Sequence, residues 1–245
     1  MRKFKPILIV VASFALLICI AYLATSGAKA AGKFTGCHLG LAGGYSVSNN
    51  KTSLDVPGGN LVTVDGFAGE GITGTATVGC DLQVDRFVFG AWADYNWVQD
   101  ADTVISALNG AIDARTALKS SYAAGVRAGL LLNYDTYLYG LVGYSKANFD
   151  DVVLSISGTP VGSLNVPEMS GWMVGGGIEA MLPMPNTKID LRYSATFYGR
   201  ENMSLGGPLV LGFEPTVHNV RIGFSYLFSF DGMPNAPQAS ALLKP

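Results

Sequence analysis

Few residues in this 245-residue chain are suited to covalent chemistry. There are two histidines, His38 and His218, and neither has a serine and a carboxylate at a spacing familiar from hydrolases. Ser194, in Arg192-Tyr193-Ser194, lacks the histidine two positions earlier that could activate its hydroxyl. Residues of the metal-ligating types are scattered rather than clustered at ligand spacings. The expectation is therefore no enzyme activity, no metal and no cofactor.

What remains chemically distinctive is a set of charges inside otherwise apolar, glycine-rich segments: Asp94, Arg127, Glu179, Asp190, Arg192 and Arg221. Each occupies the polar side of a segment that alternates apolar with polar or small residues, which is the period of a β-strand. Eight such segments are read, at about 34–47, 73–84, 87–98, 119–132, 136–148, 171–182, 188–198 and 217–228. In the third, Phe87, Phe89, Ala91, Ala93, Tyr95 and Trp97 oppose Gly90, Trp92, Asp94 and Asn96. In the fourth, Tyr122, Ala124, Val126 and Leu130 oppose Ser121, Gly125, Arg127 and Gly129. In the fifth, Tyr137, Tyr139 and Leu141 are read on the apolar face, against Gly140, Tyr144 and Lys146.

Tight links fall at Asp85-Arg86, Asn133-Tyr134-Asp135 and Pro183 to Asn186. Between them lie long links at about 48–72, 99–117, 149–170 and 199–215, the third able to extend as a hairpin over 152–166. Short and long links alternate, which is the connectivity of an outer-membrane barrel with short periplasmic turns and long extracellular loops. The fold expected is all-β, an eight-stranded antiparallel up-and-down transmembrane β-barrel with four long extracellular loops.

Facing follows from the charges. An Arg or Lys turned to hydrocarbon near the bilayer midplane costs on the order of 2–4 kcal/mol in a barrel, so the charged face is the inside. The other face is apolar with aromatic residues near strand ends, among them Tyr95, Trp97, Tyr137, Trp172 and Tyr226, as in interfacial girdles. An eight-stranded barrel has an interior only wide enough for side chains. Inward glycines, read as Gly40, Gly90, Gly125, Gly140, Gly177 and Gly223, leave room for Arg127, Arg192 and Arg221 to meet Asp94, Glu179 and Asp190. Burial makes that pairing nearly compulsory, because an unpaired buried charge is strongly destabilising. The alternative is that the same charges line an ion path.

Cys37 and Cys80 fall near the periplasmic end of the first hairpin, both pointing outward by parity. In an exported protein they are either joined as a cross-strand disulfide or remain as two small apolar residues.

Export is written at the start of the chain. Arg2, Lys3 and Lys5 precede an apolar run from Ile7 to about Leu23, followed by Ala28-Lys29-Ala30, an A-x-A site. Residues 1–30 are read as a signal peptide cut after Ala30, 31–228 as the barrel and 229–245 as a short periplasmic tail. The leader carries four of the 16 basic residues and none of the 18 acidic ones, so the mature chain has a net charge of −6. No nucleic-acid partner is expected.

The sequence resembles the small porin-family outer-membrane proteins related to the OmpA membrane domain, of alphaproteobacterial type. The resemblance rests on 36–45 (GCHLGLAGGY), 87–95 (FVFGAWADY), 171–179 (GWMVGGGIE) and 218–228 (HNVRIGFSYLF), and on their order. It implies an assembly signal at Arg221, Gly223, Tyr226 and Phe228, read by the barrel-insertion machinery. The chain continues past Phe228, but the tail is too short for the peptidoglycan-binding domain of full-length OmpA-type proteins. The partners expected are outer-membrane lipid, lipopolysaccharide and that machinery, with the loops available to a surface ligand. The function expected is a structural barrel that supports envelope integrity and presents loops. The alternatives are a narrow pore for ions or small solutes and, with every strand reversed, a soluble periplasmic ligand-binding barrel.

Overall fold

The computed structural model describes residues 32–56, 59–99, 102–107, 112–156, 159–206 and 209–228. The expected signal peptide, with Ala28 and Ala30, and the expected tail lie outside these residues. Twelve strands run in order: β1 (Gly36–Val56), β2 (Gly59–Val84), β3 (Phe87–Gln99), β4 (Asp102–Ala107), β5 (Ile112–Asn133), β6 (Thr136–Phe149), β7 (Val152–Ile156), β8 (Thr159–Leu164), β9 (Met169–Met181), β10 (Thr187–Tyr198), β11 (Glu201–Gly206) and β12 (Leu209–Phe228).

Eight of them close a ring in the order β1, β2, β3, β5, β6, β9, β10, β12, and β12 returns to β1. All neighbours are antiparallel. Closure removes the sheet edges, so no row of backbone donors and acceptors is left facing lipid. The other four strands belong to the long links. β4 and β7 pair with β5, β8 pairs with β7, and β11 pairs with β12.

Strand alternation sets the two faces. Leu39, Leu41, Val78, Phe89, Val126, Leu138, Val142, Val174, Leu191, Ile222 and Phe224 are exposed on the outside. Tyr45, Tyr95, Trp97, Tyr122, Trp172 and Tyr193 ring the end carrying the long links; Phe87, Tyr134, Tyr226 and Phe228 ring the end carrying the short turns. Between the two girdles each strand spans roughly the 9–11 tilted residues that a bilayer core requires. The tight turns place Asp85 (φ 52°) and Asn186 (φ 55°) in the left-handed region, which Asp and Asn tolerate better than most residues.

One face differs from its reading in the sequence. Tyr137, Tyr139 and Leu141 are buried in the interior, while Leu138, Gly140, Val142 and Tyr144 are on the outer side. The cause is a register shift between Leu131 and Asn133, which makes Leu130 pair with Leu138 and Ala128 with Gly140. A one-residue shift turns every side chain of the following strand to the other face. Tyr137 is therefore no girdle residue, and Gly140 is no lumen glycine.

The strands also run beyond their sequence signal. β1 continues from Val47 to Val56 and remains paired with both β2 and β12, adding about 30 Å of hydrogen-bonded sheet above the outer girdle. Outside lipid the backbone pairing persists while the apolar–polar alternation lapses, so these stretches read as loops. Pro215, which suggested a loop, sits within β12 opposite Asn50. The stretch expected to extend as a hairpin is the β7–β8 pair.

Candidate functional site: the barrel lumen

Inward side chains fill the lumen in layers. At the short-turn end Phe34, wholly buried, meets the Tyr137 ring edge-on at 4.8 Å, with Val88 beside them in the same cluster. The Phe34 backbone donates to Gln83 Oε1 (3.1 Å), and Lys33 pairs with Asp135, so the segment entering β1 is fastened across that mouth.

Above this base lies the first ion cluster. Arg127 of β5 donates from Nε to Asp81 Oδ1 (2.8 Å) and from Nη1 to Glu179 Oε2 (3.0 Å), with a further bond from Nη2 to Asp81 Oδ2. Lys188 Nζ lies 2.7 Å from Glu179 Oε1 and 3.5 Å from Asp81 Oδ2. His38 Nδ1 is 3.3 Å from Asp81 Oδ2. Space for this comes from glycine: a Cβ on Gly90 would collide with the Asp81 carboxylate, and one on Gly177 would lie 2.7 Å from the Tyr139 hydroxyl.

A second cluster follows. Asp94 Oδ2 accepts from Arg192 Nη1 at 3.0 Å and lies 3.0 Å from Arg221 Nη2. Arg192 Nε donates to Tyr139 Oη (2.9 Å), which donates to Asp190 Oδ2 (3.1 Å). Arg192 also stacks over the Trp92 ring at 5.5 Å. Four cations, Arg127, Lys188, Arg192 and Arg221, face four carboxylates, Asp81, Asp94, Glu179 and Asp190, across the two clusters. Among the described residues the charges of the two clusters balance.

Hydroxyl and amide groups form the next layer, Thr75 donating to Asn96 (2.7 Å) and Asn219 to Ser46 (2.7 Å). The neck above is apolar. Phe149 packs edge-on against Tyr198 and Phe213 at 6.1 and 5.9 Å, with Leu118, Met169 and Val217 around them.

All six charges singled out in the sequence project into this interior. They divide between two clusters rather than forming one: Glu179 and Arg127 in the first, Asp94, Asp190, Arg192 and Arg221 in the second. Asp81, Lys188 and His38 were missed. The available signal was parity, because Lys188 shares a face with Asp190 and Arg192, Asp81 with Thr77, and His38 with Gly40. Cys37 and Cys80 stand opposite each other in register and are joined as a disulfide on the outer side. Of the residues read as an assembly signal, Arg221 and Gly223 face inward. Tyr226 and Phe228 face outward with ring centroids 5.0 Å apart, and Phe228 pairs with Cys37 where β12 closes on β1. His218 lies on the outer side, bonded through Nδ1 to the Tyr193 hydroxyl at 2.8 Å. Among the described residues no group of three His, Cys, Asp or Glu is placed to hold a metal ion.

A closed barrel with its apolar face outside and its charges inside has the polarity of a membrane protein, and the sequence model for an outer membrane protein beta-barrel domain matches residues 14–228. The chain belongs to that family. It is an outer-membrane barrel, and the reversed, soluble arrangement is set aside. OprG from Pseudomonas aeruginosa shares the fold at a TM-score of 0.50 with 14% identity, covering 82% of this chain and 100% of its own. Ail of Yersinia pestis aligns at 15% identity over 76% of this chain and 99% of its own, with a TM-score of 0.35. Neisserial surface protein A aligns at 12% identity over 76% of this chain and 99% of its own, with a TM-score of 0.36. No curated protein matches this outer-membrane barrel in sequence.

Proposed function

We propose that this outer-membrane barrel is a non-conducting structural protein that supports envelope integrity and carries a rigid extracellular collar open to surface partners. The observation that carries the reading is the lumen itself. Phe34 and Tyr137 close one end, two charge-balanced clusters cross the middle, and Phe149, Tyr198 and Phe213 close the other. A pore needs a continuous wet path, and these layers argue against one. A non-enzymatic role fits the histidines: His38 is held by Asp81 in the buried cluster, and His218 is held by Tyr193 on the lipid side.

The collar supports the second half of the proposal. Arg200, just before β11, bonds to Ser53 Oγ (2.6 Å) and Asp55 of β1 and to Asn202 (3.2 Å), tying the last long link to the first. Exposed loops on a rigid scaffold are suited to recognition. Lipopolysaccharide and the barrel-insertion machinery are the envelope partners this reading implies, and the order of the four motifs favours an OmpA-membrane-domain-like relative of alphaproteobacterial type. The test is deletion of the gene followed by measurement of detergent sensitivity and apolar dye entry. The expected result is a leakier envelope restored by the wild-type gene; unchanged permeability contradicts the integrity role.

A further inference from the structure

A cavity of about 30 Å3 lies inside the barrel between the Asp94 cluster and the apolar neck. Asp94, Arg221, Ser46, Thr73, Ser121 and Asn219 supply polar walls. Two buried atoms of this wall have no protein partner, Arg221 Nε and Asp94 Oδ1. Their residues are only 4% and 5% exposed, so bulk solvent does not supply one. Two hydroxyls accept there as well: Ser46 Oγ and Thr73 Oγ1 take bonds from Asn219 Nδ2 at 2.7 and 3.0 Å. A hydroxyl that accepts still has its own proton to donate.

The walls therefore present a guanidinium N–H, hydroxyl groups and a carboxylate oxygen to one small space. A bare anion there would meet Asp94, and a bare cation would meet Arg221. Water both donates and accepts, and one water needs about 10–15 Å3 of such space. We propose that this cavity is an internal hydration site holding two ordered waters, which link Arg221 Nε–H to Asp94 Oδ1. The apolar neck lies above it and the ion clusters lie below. The waters are part of the fold, completing the hydrogen bonding of the Asp94–Arg221 pair.

The test is a crystal structure of the wild-type barrel purified in detergent, with a second crystal soaked in bromide. The expected result is discrete solvent density within hydrogen-bonding distance of Arg221 Nε and Asp94 Oδ1, and no anomalous bromide signal there. An empty cavity, or Arg221 Nε bonded to a protein acceptor, overturns the proposal; a bromide peak does so too, by making the site an anion site. Conductance is a separate measurement, so failure here is distinguishable from failure of the closed-lumen reading.

Discussion

Arg192 and Asp94 stand on β10 and β3, four strands apart in a ring of eight, and meet at 3.0 Å across the full width of the lumen. An ion pair between opposite walls ties the two sides of the barrel together across its middle. The first cluster repeats the device, with Arg127 of β5 bridging Asp81 of β2 and Glu179 of β9.

Removing one member of such a cluster leaves its partners buried and unpaired. Arg127→Met is expected to destabilise the barrel by about 3–5 kcal/mol, the range for breaking a buried pair by deleting one partner. The measurement is the urea midpoint of the heat-modifiable gel band in detergent. A midpoint equal to that of wild type contradicts the bracing role.

The outer surface gives a test of register. Gly140 faces outward, and a Cβ there finds its nearest neighbour, Gly175 O, at 3.9 Å. On Gly125, which lies between inward neighbours, a Cβ would press on the Val142 carbonyl and on Gly143 Cα at 2.5 Å. Gly140→Leu is expected to fold as wild type does, and Gly125→Leu to lose the compact unboiled band. Loss of the compact unboiled band in Gly140→Leu means that β6 is turned the other way.

How much of this was legible in the sequence depends on what lipid enforces. Between the girdles every outward position must be apolar, so strand count, facing and the inward course of Arg127, Arg192 and Arg221 could be read directly. The error at Tyr137, Tyr139 and Leu141 arose because the lumen is not polar throughout. Its base is apolar, and a tyrosine reads as outward until the register shift at Leu131 is known. Lys188 and Asp81 have inward parity, but parity alone does not say that they meet Arg127 and Glu179. The collar was hidden because water on its outer side relaxes the alternation without breaking the ladder.

The cross-strand disulfide closes a loop with a sequence separation of 43 residues. Thiol labelling of the denatured, unreduced mature protein is expected to modify neither Cys37 nor Cys80, and to modify both after reduction. The double variant Cys37→Ala/Cys80→Ala is expected to lose about 2–4 kcal/mol against urea. Free thiols in the unreduced protein contradict the bond.

Arg200 offers a contrast at the surface. It is partly exposed, and exposed ion pairs contribute about 0–1 kcal/mol. Arg200→Ala is expected to leave the urea midpoint near wild type while speeding amide hydrogen exchange in β11. Unchanged exchange means that the β11–β12 ladder holds the collar without Arg200.

The most direct test of the closed lumen is conductance of the purified wild-type barrel in planar bilayers. The apolar base, the two charge-balanced clusters and the apolar neck predict a baseline current with no steady open state. A large, steady conductance contradicts the account, because it requires a continuous aqueous path past Arg192 and Asp94.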